Sequence, residues 1–547
     1  MLALSKRTFK ERKITLIRYL IKRVAAIPRI LPNSGAHECK CKSSLWLSYN
    51  VVFAMSRATQ EARIAPDVAE RYEPVIGLEV HVQLKTASKV FCACSTRFGD
   101  LPNTNTCPVC LGLPGSLPVL NRRAVELAIR AALAIHCGVH ERSRFARKNY
   151  FYPDLPKGYQ ISMYELPLAT GGWLEIEQKG ARKRIGITRL HVEEDAAKAM
   201  HEGFPDSDRS SYIDYNRCGV PLVEIVSAPD LHSPAEAYAY LNTLKQVLQY
   251  TDVSDCDMEK GSLRCDANVS VRPRGTEKLG TKSEVKNLNS FRYLQRALEC
   301  EITRHIGVLE GGGRIEQETR LWNLAAGRTE PMRSKEFAHD YRYFPEPDLL
   351  PVHVSEAWKA EIQSQMRELP DAKRERFIRD YAITPYDAGV LTDTRALAGY
   401  FEAVVKAGAP AKTAANWIQT ELLRRLNKAG EEIGESPVSP AALAELLALV
   451  ESAQITGASG KKVFATMFET GQPARSIIAA EGLSQITDAG EIEQACREVI
   501  EKNPDNVAKY RAGNEAVFKF FVGQVMRATR GQANPQLVND TLKRLLG

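Results

Sequence analysis

The pattern of apolar residues changes near residue 351, and this change limits the folds that the chain can adopt. Between Pro74 and about Pro351, segments that alternate apolar and polar residues are separated by turns rich in Gly and Pro, a pattern typical of β-strands with one buried face. Beyond Trp358, apolar residues recur at three- and four-residue spacing, which predicts helices. The sequence therefore predicts an α+β fold, with a mixed or antiparallel sheet followed by all-helical regions.

Capping residues support the predicted helices. Asn121 and Ser233 could each cap a helix inside the sheet region. Ser439 and Asn534 each precede a proline that would occupy the first helical position. After residue 358, the spacing predicts helices at 394–407, 412–429, 439–452, 489–502, 513–529 and 535–546.

The length and hydropathy of the chain limit the classes of protein to which it can belong. A chain of 547 residues is too long for a single apolar core, so we expect several domains. No run approaches the ~20 consecutive apolar residues that a bilayer span needs, which excludes an integral membrane protein.

The net charge of +8 comes from the N-terminal segment. Residues 1–54 contain eleven Lys and Arg against two acidic residues, whereas residues 55–547 contain 63 basic and 64 acidic residues. Two interpretations of residues 1–54 stay open. They form either a mitochondrial presequence, with an apolar stripe beside the basic residues, or upstream sequence ahead of a translation start at Met55. The neutral remainder gives no charge signal for a polyanionic partner.

Four of the twelve cysteines are grouped, at Cys92, Cys94, Cys107 and Cys110. Paired thiolates that close a short loop suit tetrahedral Zn²⁺, and four protein ligands leave no open position for water. The spacing therefore predicts a structural zinc element over residues 92–110. The alternative is a group of four reduced thiols. The other cysteines are mostly scattered and are interpreted as small buried residues in a reducing compartment.

In each of two predicted strands, the polar side chains lie on a single face of the strand. A period of two places every second residue on the same side of a strand. After the second strand, a turn through 273–275 leads to a further alternating segment, which predicts a hairpin. The polar residues are Glu79, His81 and Gln83 in 75–84, Arg264, Asp266 and Asn268 in 263–272, and Glu284 and Lys286 after the turn.

An antiparallel strand with one solvent-exposed face explains a single pattern of this kind. These faces, however, contain His, Asp and Asn, which are costly to bury and useful for positioning ligands. Carboxylates beside a histidine can share Mg²⁺, and Arg264 and Lys286 could hold the accompanying phosphates. The sequence contains no P-loop, protein-kinase signature or dinucleotide-binding motif, so any ATP site lacks a standard loop.

Two further loops, 149–160 and 340–345, interleave aromatic rings with polar groups. This composition is typical of loops that stack on bases or contact a ligand. Aromatic plugs over the end of a sheet would have the same spacing, so both interpretations stay open.

Eight sequence blocks closely resemble the B subunits of the glutamyl/aspartyl-tRNA amidotransferases (the GatB family). The resemblance runs from about Tyr72 to the C-terminus and leaves residues 1–54 outside it. The blocks are 76–84, 147–162, 184–198, 214–227, 261–270, 284–291, 340–349 and 531–539.

The resemblance implies both an architecture and a reaction. It implies a cradle-like catalytic domain over 72–353, a helical linker domain over 354–411 and a helical tRNA-binding tail over 412–547, after an N-terminal extension over 1–71. It also implies that ATP and Mg²⁺ are used to phosphorylate the side-chain carboxyl of Glu on tRNA(Gln), of Asp on tRNA(Asn), or of both. Ammonia from the glutaminase A subunit then displaces the phosphate.

The implied assembly is a heterotrimer with this A subunit and a small C subunit. A cytoplasmic location follows from the resemblance, or the mitochondrial matrix if residues 1–54 are a presequence. The four-cysteine group is similar to a zinc element that some family members carry and others lack.

The resemblance also implies roles for single residues. Glu79, His81 and Glu194 would hold Mg²⁺ and, with Asp266 and Lys286, form the catalytic set. Arg264, Asn268 and Glu284 would bind the nucleotide or its phosphates. Strand alternation instead places Glu193 beside His191 and turns Glu194 away, so the choice between Glu193 and Glu194 stays open.

Two alternatives belong to other functional classes. The first is a non-catalytic tRNA-binding scaffold, but mutually repelling carboxylates on a sheet face would serve no purpose there. The second is a stand-alone ATP-dependent ligase, but the chain contains no recognisable glutaminase or amidase signature.

The predicted tail is electrically neutral, with sixteen basic and sixteen acidic residues over 412–547. Any tRNA contact must therefore come from local clusters of positive charge, although solvated helix faces produce such clusters too. The candidates are Arg424/Arg425, Lys461/Lys462, Arg527/Arg530 and Lys543/Arg544.

Overall fold

The computed structural model describes residues 64–200, 206–207, 209–332, 341–483, 488–529 and 532–547. The predictions for residues 1–54 and for a start at Met55 lie outside these residues. None of the described helices combines the length and the apolar character that crossing a bilayer requires.

One thirteen-stranded sheet dominates the first half of the chain, and β7 and β8 pair separately. The strands are β1 (Tyr72–Gln83), β2 (Gly138–Val139), β3 (Arg142–Asn149), β4 (Tyr159–Leu166), β5 (Ala169–Gln178), β6 (Ala181–Glu194), β7 (Lys198–Met200), β8 (Tyr212–Asp214), β9 (Pro221–Ser227), β10 (Leu263–Pro273), β11 (Ser283–Lys286), β12 (Glu318–Asn323), β13 (Arg328–Pro331), β14 (Phe344–Pro345) and β15 (Val352–His353).

The order of strands along the sheet is β13-β12-β11-β10-β1-β9-β6-β4-β3-β14, and β5 also pairs with β6. Among the described strands, every pair is antiparallel except β11 with β12. The predicted hairpin is present, because Asn268 of β10 lies opposite Glu284 of β11. The sheet brings segments that are far apart in sequence onto one continuous surface.

The helices are α1 (Pro66–Ala69), α2 (Arg122–Ala134), α3 (Pro234–Tyr250), α4 (Phe291–Glu310), α5 (Glu356–Ser364), α6 (Pro370–Tyr381), α7 (Pro385–Leu391), α8 (Arg395–Lys406), α9 (Ala411–Trp417), α10 (Leu423–Ala429), α11 (Pro440–Glu451), α12 (Gly457–Thr470), α13 (Ala474–Glu481), α14 (Ala489–Glu501), α15 (Pro504–Arg511), α16 (Ala516–Ala528) and α17 (Pro535–Leu546). The predicted caps are present, since Asn121 and Ser233 accept backbone hydrogen bonds at the starts of α2 and α3.

Alternation along β1 explains how the sheet packs. Ile76, Leu78, Val80 and Val82 are fully buried and join α2, α3 and α4 in one apolar core. The intervening residues of β1 point to the opposite face. Helices therefore cover one face of the sheet, and the other face is left polar. The predicted α+β fold followed by helices is confirmed.

The helical half contains short elements that periodicity did not reveal. For example, no residue of α15 is buried, so the segment leaves no apolar stripe to detect. The predicted helix 412–429 is instead α9 and α10 joined by a π-helical turn at Ile418–Leu422. The other helices without a prediction are α5, α6, α7, α12 and α13.

Two separate apolar cores lie in this half. One core runs from Phe377 to Ile478, and the other is built from residues between Ile492 and Leu546. The domain boundary predicted at 411–412 therefore falls inside one packed core. Among the described residues, no buried core residue lies between Ile478 and Ile492.

Candidate functional site

Four polar side chains form a row across four neighbouring strands. Arg264 of β10 lies opposite His81 of β1, His81 lies opposite Glu224 of β9, and Glu224 lies opposite His191 of β6. Residues directly opposite each other in a sheet point to the same face. The row therefore lies on the polar face, away from the helices.

His81, Glu193 and Glu224 converge within this row. One ligand atom from each lies within 4.8 Å of the other two. The Nε2 atom of His81 is 3.3 Å from Oε2 of Glu224 and 3.8 Å from Oε1 of Glu193. His191 closes the group, with Nε2 at 3.5 Å from Glu193 and 3.4 Å from Glu224. The geometry supplies one imidazole and two carboxylates around a common point.

The charges of these groups stabilise one another. Burial disfavours the charged form of His191, but its hydrogen bonds to Glu193 and Glu224 outweigh burial and raise its pKa to about 9. Burial would raise the pKa of Glu224, but hydrogen bonds with His191 and His81 outweigh burial and lower it. Two buried carboxylates thus stay ionised beside histidines, which is a donor set that suits a divalent cation with oxygen ligands.

Glu194 is not part of this group. Its carboxylate is hydrogen-bonded to Nζ of Lys157 and accepts the backbone N–H of Ile161 at 2.9 Å. Glu193 accepts a hydrogen bond from Oγ of Ser162 at 3.1 Å, on the face of β6 opposite to Glu194. The structure therefore does not bring the predicted Mg²⁺ set together, because adjacent strand residues point to opposite faces.

Glu79 lies beside the group but is engaged elsewhere. Its Oε1 accepts a hydrogen bond from Nδ2 of Asn268 at 2.9 Å. Asp266 of β10 lies directly opposite Glu79 of β1. Glu79 is two residues from His81 on the same face of β1. Glu79 and Asn268 thus continue the polar face from His81 toward β11.

A second charged cluster lies on the same face. Nζ of Lys286 is 3.1 Å from both Asp266 and Glu284. Burial opposes protonation of Lys286, but the charges of Asp266 and Glu284 raise its pKa above the usual value. Glu284 also accepts from Oγ1 of Thr319 at 2.7 Å. Three of the predicted site residues are therefore brought together here.

Asp195 orients Arg264 next to His81. Its carboxylate is almost fully buried and lies 2.8 Å from Nη2 of Arg264. Gln83 donates to the other oxygen at 2.7 Å, and Arg217 approaches to 3.8 Å. A fixed guanidinium at the edge of a carboxylate group is suited to hold a phosphate.

The two aromatic loops meet beside this site. Asn149 Nδ2 donates to the carbonyl oxygen of Arg342 at 2.8 Å, and β14 pairs with β3. Tyr343 stacks on Tyr164 with ring centroids 3.9 Å apart. Burial, followed by the charges of Glu193 and Glu224, raises the pKa of Tyr343. The rings therefore border the carboxylates; Asp340 lies outside the described residues.

The four predicted zinc ligands also come together. The sulfur atoms of Cys92, Cys94, Cys107 and Cys110 lie within 4.8 Å of one another. Lys89 is fully buried, and its Nζ is 3.6 Å from Sγ of Cys110. A hydrogen bond from Cys92 lowers the pKa of Cys110. Burial opposes this shift, and the positive charge of Lys89 assists it. This geometry fits a four-thiolate metal site.

Positive charge in the tail is partly neutralised. Arg424, Arg425 and Lys461 all lie within 3.2 Å of the Glu421 carboxylate. Arg544 pairs with Glu493. Of the predicted clusters, Arg530 lies outside the described residues.

The sequence prediction missed Glu224 and Asp195. Glu224 is the one ionisable residue in the apolar strand Pro221–Ser227, and such an isolated carboxylate is a usable signal. Asp195 follows β6 directly and has no periodic pattern to place it. Lys157, the partner of Glu194, lies in a loop whose position no spacing rule gives.

A sheet with one face lined by buried charged groups is typical of a catalytic α+β domain, and a helical region follows it in the chain. Residues 74–360 match the family described as the GatB/GatE catalytic domain, and residues 399–546 match the family described as the GatB domain. The chain therefore belongs to the GatB family, the B subunits of tRNA-dependent amidotransferases.

Curated relatives agree with this assignment. The B subunit of the aspartyl/glutamyl-tRNA(Asn/Gln) amidotransferase from Caldanaerobacter subterraneus subsp. tengcongensis is 57% identical over 473 residues, which is 86% of this chain and 99% of the relative. The protein of the same name from Carboxydothermus hydrogenoformans is 57% identical over 472 residues, 86% and 98% of the two chains. That from Moorella thermoacetica is 56% identical over 475 residues, 87% and 100%. The resemblance found in the sequence blocks is confirmed.

Proposed function

We propose that the chain catalyses ATP-dependent amidation of Glu on tRNA(Gln), of Asp on tRNA(Asn), or of both. An oxygen of the side-chain carboxylate attacks the γ-phosphorus of ATP, and ADP leaves. Ammonia then attacks the activated carbonyl carbon, inorganic phosphate leaves, and a side-chain amide remains on the tRNA. Membership of the GatB family supports the overall reaction.

The convergence of His81, Glu193 and Glu224 is the observation that carries this proposal. We infer that these three residues hold Mg²⁺, in place of the set Glu79, His81 and Glu194. When bound, the ion supplies positive charge to the phosphate oxygens. Glu79 keeps a proposed catalytic role, because it lies two residues from His81 on the same face.

The neighbouring cations orient the nucleotide. Arg264 is fixed by Asp195 at 2.8 Å, so its guanidinium can donate to a phosphate without rearranging. Lys286, with Asp266, supplies a second positive charge on the same face. Asn268 and Glu284 complete the proposed binding set. Phosphoryl transfer depends mainly on such positioning and charge neutralisation.

The partners follow from the same proposal. The relatives are named as B subunits, so the chain is one part of a multi-subunit amidotransferase. We propose that a glutaminase A subunit supplies ammonia and that a small C subunit completes a heterotrimer. The helical region after the sheet domain would dock the tRNA, and the Cys92–Cys110 element would hold structural Zn²⁺.

A direct assay tests the proposal. The full chain is purified with its co-purifying partner proteins, and amidation of Glu-tRNA(Gln) and Asp-tRNA(Asn) is measured with and without ATP. We expect product from at least one substrate only with ATP, and loss of product in His81→Ala. If His81→Ala amidates at the wild-type rate, the chain is the tRNA-binding scaffold instead.

A further inference from the structure

Three arginines line a cavity on the helical side of the sheet domain. Arg123 and Arg130 lie two turns apart on α2, and Arg367 follows α5. The cavity has a volume of about 250 Å³, and its other lining residues are Thr251, Asp252, Gln365 and Met366. Helix α2 packs on the apolar face of the sheet, so this cavity is separate from the polar face.

Arg130 has unused hydrogen-bonding capacity in this cavity. Its Nη1 donates to the carbonyl oxygen of Thr251 at 3.3 Å. Its Nε is buried and has no hydrogen-bond partner among the described residues. A buried donor without a partner is costly, and a ligand that accepts from it would remove that cost.

Nearby carboxylates neutralise the three arginines only in part. Within the described part of the chain, no carboxylate lies within 4.0 Å of the Arg130 or Arg367 guanidinium. Asp252, the acidic residue of the lining, is paired with Lys85 at 2.9 Å.

Glu126 is shared between two cations, Arg122 at 3.0 Å and Arg123 at 3.3 Å. Arg395 adds further positive charge near Asp252. Positive charge is therefore in clear excess around the cavity.

Repulsion within the cluster is visible in its electrostatics. Burial lowers the pKa of Arg130, and the positive charges of Arg123 and Arg367 lower it further, against the opposing charges of Asp252 and Glu126. Like charges that converge on one small cavity destabilise the fold unless an anion lies between them. Guanidinium groups match tetrahedral oxyanions, because they can donate two parallel hydrogen bonds.

We infer that this three-arginine cavity binds a phosphate group. The same chemistry is presented by free inorganic phosphate and by a phosphodiester of a nucleic-acid backbone, and the two sources are distinguishable by experiment. The inference concerns the cavity alone and does not depend on the amidation reaction.

The first arm uses inorganic phosphate as the probe. Thermal unfolding of the full chain is followed while phosphate replaces chloride at constant ionic strength. A ligand that binds only the folded chain raises Tm, and above Kd the rise grows with the logarithm of the ligand concentration. We expect a phosphate-dependent rise in the wild type, with binding about tenfold weaker in Arg130→Gln and in Arg367→Gln. The matched control is Arg379→Gln, which removes an exposed charge of α6 outside the cavity.

The second arm uses uncharged tRNA. Its affinity is measured over a range of salt concentrations in the same variants. Each phosphate contact contributes roughly 0.7–0.9 to the slope of log K against log salt. A slope that falls by this amount in both cavity variants, but not in Arg379→Gln, assigns the cavity to a tRNA backbone phosphate. An unchanged slope together with lost phosphate binding assigns it to a free phosphate group.

The inference is overturned if phosphate raises Tm equally in all variants and the tRNA slope stays constant. An equal rise reports general exclusion of the ion from the protein surface. If Arg130→Gln fails to fold because its bond to Thr251 is lost, Arg367→Gln decides the outcome, since Arg367 is exposed.

Discussion

Glu193 and Glu194 are neighbours in sequence, yet their carboxylates serve opposite faces of strand β6. Glu193 joins His81 and His191 on the polar face, whereas Glu194 is bound to Lys157 on the other side. The two carboxylates are both buried. Burial alone therefore does not distinguish the proposed metal ligand from the residue that stabilises the fold.

The first prediction separates these two roles. Glu193→Gln keeps the shape of the side chain but removes a charge from the proposed Mg²⁺ group, so tRNA-dependent ATP hydrolysis should fall by at least ~100-fold. Glutamine hydrolysis by the glutaminase partner should continue. Glu194→Gln leaves Lys157 buried without its partner, which should lower the free energy of unfolding by about 3–5 kcal/mol.

Steady-state ATPase assays and chemical denaturation of the same two variants check this prediction. We expect Glu193→Gln to be inactive but less destabilised than Glu194→Gln, because Glu224 still pairs with His191, and we expect Glu194→Gln to be unstable but active at low temperature. The reverse pattern would restore Glu194 to the metal set and remove Glu193.

The second prediction concerns zinc. Elemental analysis should find about one Zn per chain, and Cys107→Ser with Cys110→Ser should remove it. Loss of the ion should lower Tm by several degrees and leave the KM for ATP unchanged, because a closed site takes no part in the reaction. A metal-free wild type with unchanged Tm would contradict the assignment. Cys137→Ser, a change of a buried cysteine outside the group, is the matched control.

The third prediction concerns pH. Glu301 of α4 is fully buried and lies 2.8 Å from both Arg304 and Arg320. Burial alone would raise its pKa, but hydrogen bonds from His305, Arg304 and Thr329 lower it to about 2. Since an unfolded glutamate titrates near pH ~4.3, the group contributes about 3 kcal/mol above that pH.

This contribution should disappear as the pH falls from about 4.3 to about 2. The free energy of unfolding is measured by urea denaturation for the wild type and for Glu301→Gln. The gap between the two values should be largest near neutral pH and should shrink in acid. Glu299→Gln, an exposed change on the same helix, should show no such gap. A gap that is independent of pH would mean that packing, and not charge, stabilises Glu301.

The fourth prediction concerns tRNA docking. Ending the chain after Leu483 removes the last apolar core and leaves the core from Phe377 to Ile478 intact. We expect a higher KM for mischarged tRNA, with glutaminase activity of the complex retained. Lys462→Ala should weaken tRNA binding more than Lys461→Ala, because Lys461 is already paired with Glu421 at 3.2 Å. An unchanged KM would exclude the last apolar core as the docking surface and leave the helices up to Ile478 and the sheet domain.

Alternation along strands predicted much of the site from the sequence. It placed Glu79 with His81 on one face of one strand and Arg264 with Asp266 on one face of another, and it indicated that Glu193 accompanies His191. These relations are local, because a period of two fixes which residues share a face. The hairpin between β10 and β11 followed from a turn in the same way.

Pairing between distant strands could not be read from the same pattern. Glu224 reaches His81 because β9 inserts between β1 and β6, and no local signal encodes that order. Asp195 and Lys157 lie in loops, where periodicity gives no information. The π-helical turn at Ile418–Leu422 was also hidden, because one extra residue in a turn leaves the apolar spacing nearly unchanged.

The separate apolar cores have a thermodynamic consequence. Each core is sealed by its own side chains, so the sheet domain, the helices up to Ile478 and the last helices need not lose their structure at one temperature. Calorimetry should then resolve more than one endotherm, and a calorimetric enthalpy larger than the van't Hoff value. Each substitution would then shift only the endotherm of the core to which it belongs, so the Tm changes expected for the zinc element and for the three-arginine cavity are those of the sheet-domain endotherm.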